Sequence, residues 1–325
     1  MIKFGVIGTG WIAEEFVKGA QIVKGFDFTS VYSRKAETGK AFADKFGGAK
    51  VYDDLNGFAQ SEIDAVYIAS PNSLHYAQSR LMLENGKHVL CEKPITVTPE
   101  EFAELRAFAD SRNLIYTEAI MYLHLPERHI LKNALSEIGK ITSAHFDFSQ
   151  LSSKYAAFSR GELPNIFNPK FATGCLMDLG IYCIYPALEL FGSPEKISAS
   201  SGFMSSGADG YGTAIFDYDD KQVTLTYSKL GQDRLGSQIS GDKGTIVLPS
   251  VSKLTDMAVY DNEGNKKALS GDTEKHVLMS YEAEDFKEYI SGRKTGEYNY
   301  ANDLIYSVSK TMQEIRSLSS IRFDL

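Results

Sequence analysis

Cysteine is scarce in this 325-residue chain: Cys91, Cys175 and Cys183 are odd in number and form no CxxC spacing. That excludes a disulfide framework and a zinc knuckle. Histidine is sparse too, with six residues and no HExxH or comparable pair. His124 and His129 flank Pro126, which spoils a shared helical face, so no metal is expected. No G-x-S-x-G occurs, which removes nucleophile-elbow serine chemistry. Positive charge is not in excess: 34 Lys and Arg against 42 Asp and Glu leave a net charge of −8. General binding to nucleic acid or to an anionic membrane is therefore not expected, although a local phosphate pocket remains open. No apolar run is read as approaching the ~20 residues of a bilayer span. The opening MIKFGVIGTGWIAEEF lacks the charged start, apolar middle and cleavage site of a signal peptide. A cytoplasmic location is the expectation.

What is present suits a globular protein: 43% of residues are apolar and 23% charged, enough for two cores. At about 100–200 residues per domain, two domains are expected. Over the first ~120 residues short apolar runs alternate with helical patterns. Strands are read at Ile2–Ile7, Phe28–Tyr32, Ala65–Ala69, His88–Cys91 and Leu114–Thr117. Helices are read at Trp11–Lys24, Ala36–Phe46 and Leu74–Asn85, and from the capping box Thr98-Pro99-Glu100-Glu101 to Ser111. This rhythm means a parallel sheet with helices on both faces, a Rossmann-type α/β domain over residues 1–120. After Met121 the pattern changes. A helix at Glu127–Glu137 precedes a strand at Ile141–Phe148, an irregular stretch over Ser149–Lys170 and a helix over Thr173–Phe191. Closely spaced strands follow from Lys196 to Leu248, and helices near Leu278–Ser291 and Ala301–Ser319 end the chain. Residues 121–325 are thus expected to form an α+β domain with a large, mostly antiparallel open sheet.

Gly8-Thr9-Gly10-Trp11-Ile12-Ala13 fits GxGxxA directly after a strand and at the start of a helix, the context a dinucleotide loop requires. Gly8 permits the tight turn, Gly10 lets the backbone approach a pyrophosphate, and Ala13 allows close helix–strand packing. Thr9, Trp11 and Ile12 belong to the same loop. At the end of the second strand, Val31-Tyr32-Ser33-Arg34-Lys35 lacks the carboxylate that usually holds an NAD ribose. Ser33, Arg34 and Lys35 stand where a 2′-phosphate would lie, so NADP(H) is preferred and NAD(H) remains possible. Asp27 precedes the strand and would sit at its far end. The bland alternatives are a glycine turn in an ordinary βαβ unit and solvated loop charges.

The motifs together resemble a known family. GTGWIA, Ala69-Ser70-Pro71-Asn72-Ser73-Leu74-His75, Cys91-Glu92-Lys93-Pro94, Glu118-Ala119-Ile120-Met121-Tyr122 and Gly174-Cys175-Leu176-Met177-Asp178-Leu179-Gly180-Ile181-Tyr182 occur in the order seen in the glucose–fructose oxidoreductase/inositol dehydrogenase/rhizopine-catabolism family. The DxGxY form is most similar to its glucose–fructose oxidoreductase and dihydrodiol dehydrogenase branch. The resemblance implies an NAD(P)-dependent oxidoreductase acting on CH–OH groups of a sugar, polyol or related hydroxyl/ketone compound. It also implies a second domain that binds substrate and forms a homodimer, or a higher homo-oligomer, through its open sheet face. A non-catalytic dinucleotide-sensing regulator on the same fold is the competing expectation.

Tyr182 occupies the family's acid/base position. A phenol titrates near ~10, too high for a good base at neutral pH unless an ammonium favours the phenolate. The resemblance assigns that ammonium to Lys93, beside the nicotinamide ribose, and lets Asp178 bind a substrate hydroxyl or orient Lys93. Asp178 lies one helical turn before Tyr182. Ser70, Pro71, Asn72, His75, Glu92 and Lys93 are expected around the cofactor. Against these roles stand a surface lysine, a core tyrosine and a helix-capping aspartate. Three departures affect substrate choice: Leu123 replaces a branch arginine, the glycine run before Asp178 shrinks to Thr173-Gly174, and Tyr185 stands where some relatives carry an aspartate. Lys154, Tyr155, Arg160 and Asn165 of the irregular stretch are candidates to shape the substrate pocket.

Overall fold

The first apolar run becomes strand β1 (Ile2–Ile7), and it lies inside a sheet rather than at its edge. The computed structural model describes residues 1–324 and places β1 between β2 (Phe26–Tyr32) and β4 (Ala65–Ile68), parallel to both. With β3 (Lys50–Tyr52), β5 (His88–Glu92) and β6 (Tyr116–Ala119) the sheet order is β3-β2-β1-β4-β5-β6. The strand order reverses at β1, so the carboxyl ends of β1 and β4 open a crevice where ligands bind in such sheets. Helices α1 (Trp11–Ala20), α2 (Ala36–Asp44), α3 (Leu55–Ala59), α4 (His75–Glu84) and α5 (Pro99–Ser111) make the crossovers. Strand β4 is buried at every position, as a strand covered on both faces must be. The capping box at α5 forms: Thr98 Oγ1 accepts from the Glu101 N–H at 3.2 Å, and the Glu101 carboxylate accepts from the Thr98 N–H at 3.1 Å.

The second unit is built on eight strands in the order β14-β13-β12-β11-β7-β10-β9-β8. These are β7 (Ile141–Ser149), β8 (Lys196–Phe203), β9 (Asp209–Asp217), β10 (Gln222–Ser228), β11 (Ser237–Gly241), β12 (Gly244–Leu248), β13 (Ala258–Asp261) and β14 (Lys266–Ala268). Every neighbouring pair is antiparallel except β7 and β10. Val223, Leu225 and Tyr227 of β10 are buried while Thr224 and Thr226 are half-buried, the alternation of a sheet with one covered face. Helices α6 (Glu127–Ala134), α7 (Tyr155–Ser159) and α8 (Ile181–Phe191) belong to this unit, and α8 packs on β7 and β10. The run Pro169–Phe191 is long and apolar enough to cross a membrane, contrary to the reading of the sequence, but most of its apolar 18-residue window is buried within the protein as a core helix is.

The chain does not divide once at residue 120. The first unit is Met1–His124 together with Glu274–Tyr306, and the second is Leu125–Thr273 with the residues from Ser307 on. The continuous domain expected over 121–325 is therefore interrupted by helix α9 (Lys275–Ile290) and the first half of α10 (Thr295–Leu318), which return to the Rossmann unit. Packing explains the return. At Gly19 of α1 an added Cβ would lie 2.6 Å from the His276 carbonyl oxygen and 2.9 Å from the Ser280 nitrogen, so α9 meets α1 backbone to backbone. Phe286 sets its edge on Phe26 of β2 with ring centroids 6.1 Å apart. Asn302 of α10 donates to the Tyr116 carbonyl at 3.2 Å, which satisfies part of the exposed edge of β6. Strands β3, β13 and β14 and helix α3 were also absent from the sequence reading; each is five residues or fewer, too short to show a period.

Gly19→Ala should destabilise the protein by about 1–3 kcal/mol, because the clash is with backbone that cannot step aside. The lower urea midpoint should accompany loss of protection in the amides of α9.

Candidate functional site

The loop after β1 owes its shape to one close approach. Gly8 has φ +103°, and a Cβ there would sit 2.5 Å from the Ala69 carbonyl oxygen at the end of β4. The Ala69 N–H donates to the Ile7 carbonyl at 2.8 Å and the Gly8 N–H to the Tyr32 carbonyl at 3.2 Å. Gly10 is the N-cap of α1 with no side-chain cap, and nothing lies within 4 Å of where its Cβ would be. The first N–H groups of a ten-residue helix are thus left open to a ligand, where the helix dipole favours an anion. A cavity of about 350 Å³ opens here. Of the expected residues, Gly8, Thr9, Ser33, Arg34, Lys35, Ser70 and Pro71 line it; Thr38, Leu74 and Gln78 join them unforeseen. Trp11 is exposed and Ile12 half-buried at the start of α1.

At the end of β2, Ser33 is held by its N–H to the Tyr52 carbonyl of β3 at 3.0 Å and by its hydroxyl to Thr38 Oγ1 at 2.6 Å. Thr38 in turn donates to the Lys35 carbonyl at 2.9 Å. Arg34 and Lys35 are exposed on this turn. Asp27 lies within β2, not before it as expected, but at the end away from Ser33, beside Lys3 in the β1–β2 register.

The loops after β4 and β5 are tied together from behind. His75 was expected among the cofactor contacts, but its ring is fully buried. Nδ1 lies 2.8 Å from the Pro94 carbonyl oxygen and Nε2 2.9 Å from that of Ser70, so both nitrogens are occupied by backbone. Burial holds the imidazole below its usual pKa range. His75 therefore positions the loops instead of presenting a face to the cavity. The Ser70 hydroxyl donates to Gln78 Oε1 at 2.6 Å, and Asn72 is half-buried in the turn Asn72–Leu74.

Lys93 follows β5, is half-buried and joins Pro94 through a cis peptide. Beside it the Glu92 carboxylate accepts from the Tyr67 hydroxyl and from the Lys93 N–H at 3.2 Å. Tyr67 is held by stacking on Phe16 at 3.8 Å. Burial pushes the Glu92 carboxyl above its usual range; the Lys93 ammonium, the Tyr67 hydroxyl and Lys275 oppose that. Further back, Glu118 accepts from the Ile95 N–H at 2.6 Å. Glu282 of α9 is 1% exposed, with Oε1 lacking a hydrogen-bond partner. Burial first, then the like charges of Glu92, Glu118 and Asp285, raise its pKa well above the carboxylate range, with Lys275 opposing. Sequence reading missed Tyr67, Glu282 and Lys275, because none sits in a motif.

In the second unit Asp178 lies in a π-helical turn, Leu176–Gly180, that runs into α8. The turn is anchored by Asp209, which accepts from the Leu176 N–H at 2.7 Å while fully buried. Asp178 pairs with Lys229, a lysine 1% exposed that no motif flagged. Tyr182 is half-buried and meets Phe148 edge-on at 5.2 Å. Tyr185, which stands where some relatives carry an aspartate, is fully buried in the core of this unit. Lys154, Arg160 and Asn165 are exposed and Tyr155 is half-buried.

The raised Glu282 and Glu92 carboxyls make a pH prediction. A group whose pKa rises on folding contributes stability at low pH that is lost as pH climbs above its unfolded value, here 4.5, through the folded one. Glu282→Gln should remove that loss. Its stability advantage over wild type should grow with pH above 4.5 in urea titrations.

Comparison with known proteins places this geometry. The family described as "Oxidoreductase family, NAD-binding Rossmann fold" matches residues 2–120, and a GFO/IDH/MocA C-terminal domain matches residues 132–247. Scyllo-inositol 2-dehydrogenase (NADP(+)) IolU of Bacillus subtilis is 37% identical over 99% of this chain and 98% of its own. Trans-1,2-dihydrobenzene-1,2-diol dehydrogenase of Xenopus laevis is 27% identical over 89% of both chains. Among solved structures, KijD10, a 3-ketoreductase from Actinomadura kijaniata in complex with NADP and TDP-benzene, superposes with a TM-score of 0.84 at 22% identity, over 98% of each chain. That likeness speaks to the fold alone.

Proposed function

The chain belongs to the GFO/IDH/MocA oxidoreductase family, and on that premise we propose that it transfers hydride between NADP(H) and a secondary hydroxyl, or the matching ketone, of a polyol or sugar, with an inositol the first candidate. The observation that carries the cofactor choice is the end of β2, where Ser33, Arg34 and Lys35 line the cavity and no carboxylate does. The cradle at Gly8, which any Cβ would fill, and the open start of α1 suit a pyrophosphate. NAD(H) would fit the same cradle without using the cations. The NADP-dependent activity of the Bacillus relative supports the reading.

When bound, the nicotinamide takes or gives the hydride at its C4. The protein handles the proton. We assign Tyr182 as the group that takes the hydroxyl proton during oxidation and returns it during reduction. Lys93 is the ammonium that favours its phenolate and hydrogen-bonds the reacting oxygen. The Glu92 carboxylate, on the Lys93 N–H, orients the loop that carries that lysine. Asp178, balanced by Lys229, is assigned to a substrate hydroxyl. A cytoplasmic location and a homodimer formed through the open sheet face belong to the same reading.

Incubation with NADP+ and a panel of inositols, polyols and aldoses should produce the absorbance of reduced nicotinamide. Lys93→Met should lower kcat by about 100-fold or more while NADPH still binds. Full activity in that variant would remove the proposed chemistry, and tight NADPH binding with no turnover by wild type on any substrate would favour a sensor. Arg34→Ala should raise the Kd for NADPH about 10- to 100-fold, the worth of a charge-assisted contact, and leave NADH within a factor of two. An equal loss for both cofactors would place Arg34 away from the 2′-phosphate.

A further inference from the structure

The covered face of β10 carries Val223, Leu225 and Tyr227, each fully buried, and the next residue in that period is Lys229, 1% exposed. The strand ends at Ser228, but its ladder holds one residue further. The Lys229 N–H donates to the Gly210 carbonyl at 2.9 Å, and the Lys229 carbonyl accepts from the Ser152 N–H at 2.9 Å. Strand alternation therefore turns this lysine inward, where an apolar residue is the norm. There its ammonium meets the Asp178 carboxylate. The same face fixes that meeting. A Cβ on Gly180 would lie 3.1 Å from the Tyr227 ring, so the turn Leu176–Gly180 rests directly on β10. Asp178 and Lys229 are each two residues away from that contact.

Packing does not call for an ion here. A methionine would fill the same register, and a buried ion pair stabilises a fold no better than well-packed apolar side chains do. The pair is also lopsided: the Lys229 side chain is 1% exposed and that of Asp178 33%. An ammonium taken out of water needs a counter-charge, while the carboxylate it meets stays within reach of solvent or a ligand. A carboxylate offers about four acceptor sites, so contact with one ammonium does not exhaust it. The other ionisable groups near the pair are Asp209 of β9, Tyr227 of β10 and Cys175, which precedes the turn. Burial is the largest influence on each and favours its neutral form, which leaves Asp178 as the counter-charge in contact.

We propose that Lys229 is a positioning residue: from inside the sheet it keeps the Asp178 carboxylate ionised and fixes Oδ2 toward the core, so that the remaining acceptor sites take a hydrogen bond from a substrate hydroxyl. The assignment rests on the reading of Asp178 as a substrate contact and deepens it. An ionised carboxylate accepts and cannot donate, so Asp178 selects a ligand group that carries an N–H or O–H. A hydroxyl meets that demand, and an ether or ketone oxygen at the same place does not. The hydrogen bond is made before and during hydride transfer alike, so its loss falls on KM rather than on kcat.

Steady-state kinetics test this in wild type, Lys229→Met, Lys229→Arg, Asp178→Asn and the double variant Lys229→Met/Asp178→Asn. The probes are saturating NADP+ and scyllo-inositol, or the inositol that wild type oxidises fastest. Lys229→Met should raise KM about tenfold and change kcat less than about threefold, with arginine restoring most of the loss. In the Asp178→Asn background the same substitution should change KM less than about twofold, because Lys229 acts through the carboxylate. An unchanged KM in Lys229→Met would overturn the proposal, and so would an equal loss with and without Asp178. NMR titration of isotope-labelled aspartate carboxyls gives a readout that needs no substrate. The Asp178 signal, assigned by its absence in Asp178→Asn, should titrate below the ordinary aspartate value of ~3.9 in wild type, and about one pH unit or more higher in Lys229→Met. A wild-type midpoint at or above that value would overturn the proposal even if the methionine variant failed to fold. If wild type oxidised no polyol, the substrate reading of Asp178 would fall, a result distinct from wild-type turnover that Lys229→Met leaves intact.

Discussion

The Rossmann unit depends on one contact between two stretches of backbone. Where β1 and β4 end, Gly8 lies so close to the Ala69 carbonyl that no side chain fits between them. That approach lets the chain turn at once into α1 and leaves the first N–H groups of the helix uncovered beyond Gly10. The other parts of the cradle are arranged around it. The turn after β2 brings Ser33, Arg34 and Lys35 to one side of the cavity, and the turn after β4 brings Ser70 and Pro71 to the other. A larger residue at position 8 would force the two strand ends apart, and the anion site would lose its walls together with its floor.

Behind this polar cradle the unit buries more ionisable groups than a plain core would tolerate. Glu92, Glu118 and Glu282 lie within electrostatic range of one another, and desolvation drives Glu92 and Glu282 toward their protonated forms. Burying an unpaired carboxylate is expensive, so a carboxyl there either finds donors or keeps its proton. Glu92 and Glu118 find donors: Tyr67 and the Lys93 N–H for the first, the Ile95 N–H for the second. Glu282 has an oxygen without one. His75 bridges the two loops in the same interior: its ring nitrogens face the Pro94 and Ser70 carbonyls, and the neutral imidazole that burial favours donates to one of them. The second unit follows the same logic with fewer parts. Asp209 satisfies the start of the segment that carries Asp178 and Tyr182, and Asp178 neutralises the buried Lys229.

Much of this was legible along the chain because it is local. The alternation of apolar runs and helical patterns announced a parallel sheet, and the Thr98–Glu101 box marked where α5 begins. The glycine loop and the cations after β2 could be assigned to one cavity because each follows a strand that ends at the same side of a Rossmann sheet. His75 was misjudged for an equally local reason. It follows a strand end, and spacing cannot tell whether a ring at that place turns toward a ligand or into the protein. Tyr185 differs in kind, since α8 is apolar at most positions and gives little polar pattern from which to read which of its tyrosines is buried.

The sequence by itself determined the features whose causes lie within a few residues: strand period, helix caps, the glycine pattern ahead of α1 and the absence of a carboxylate after β2. Only the tertiary structure decided that Glu274–Tyr306 rejoins the first unit, that Glu282 comes within electrostatic reach of Glu92 and Glu118, that Lys275 lies over the Trp11 ring, and that Lys229 balances Asp178. The physical reason is range. Helix caps and strand alternation are set by neighbours in the chain and leave a pattern in its order. Burial and Coulomb forces act between neighbours in space, and residues 19 and 276 have no reason to reveal in one dimension that their backbones touch.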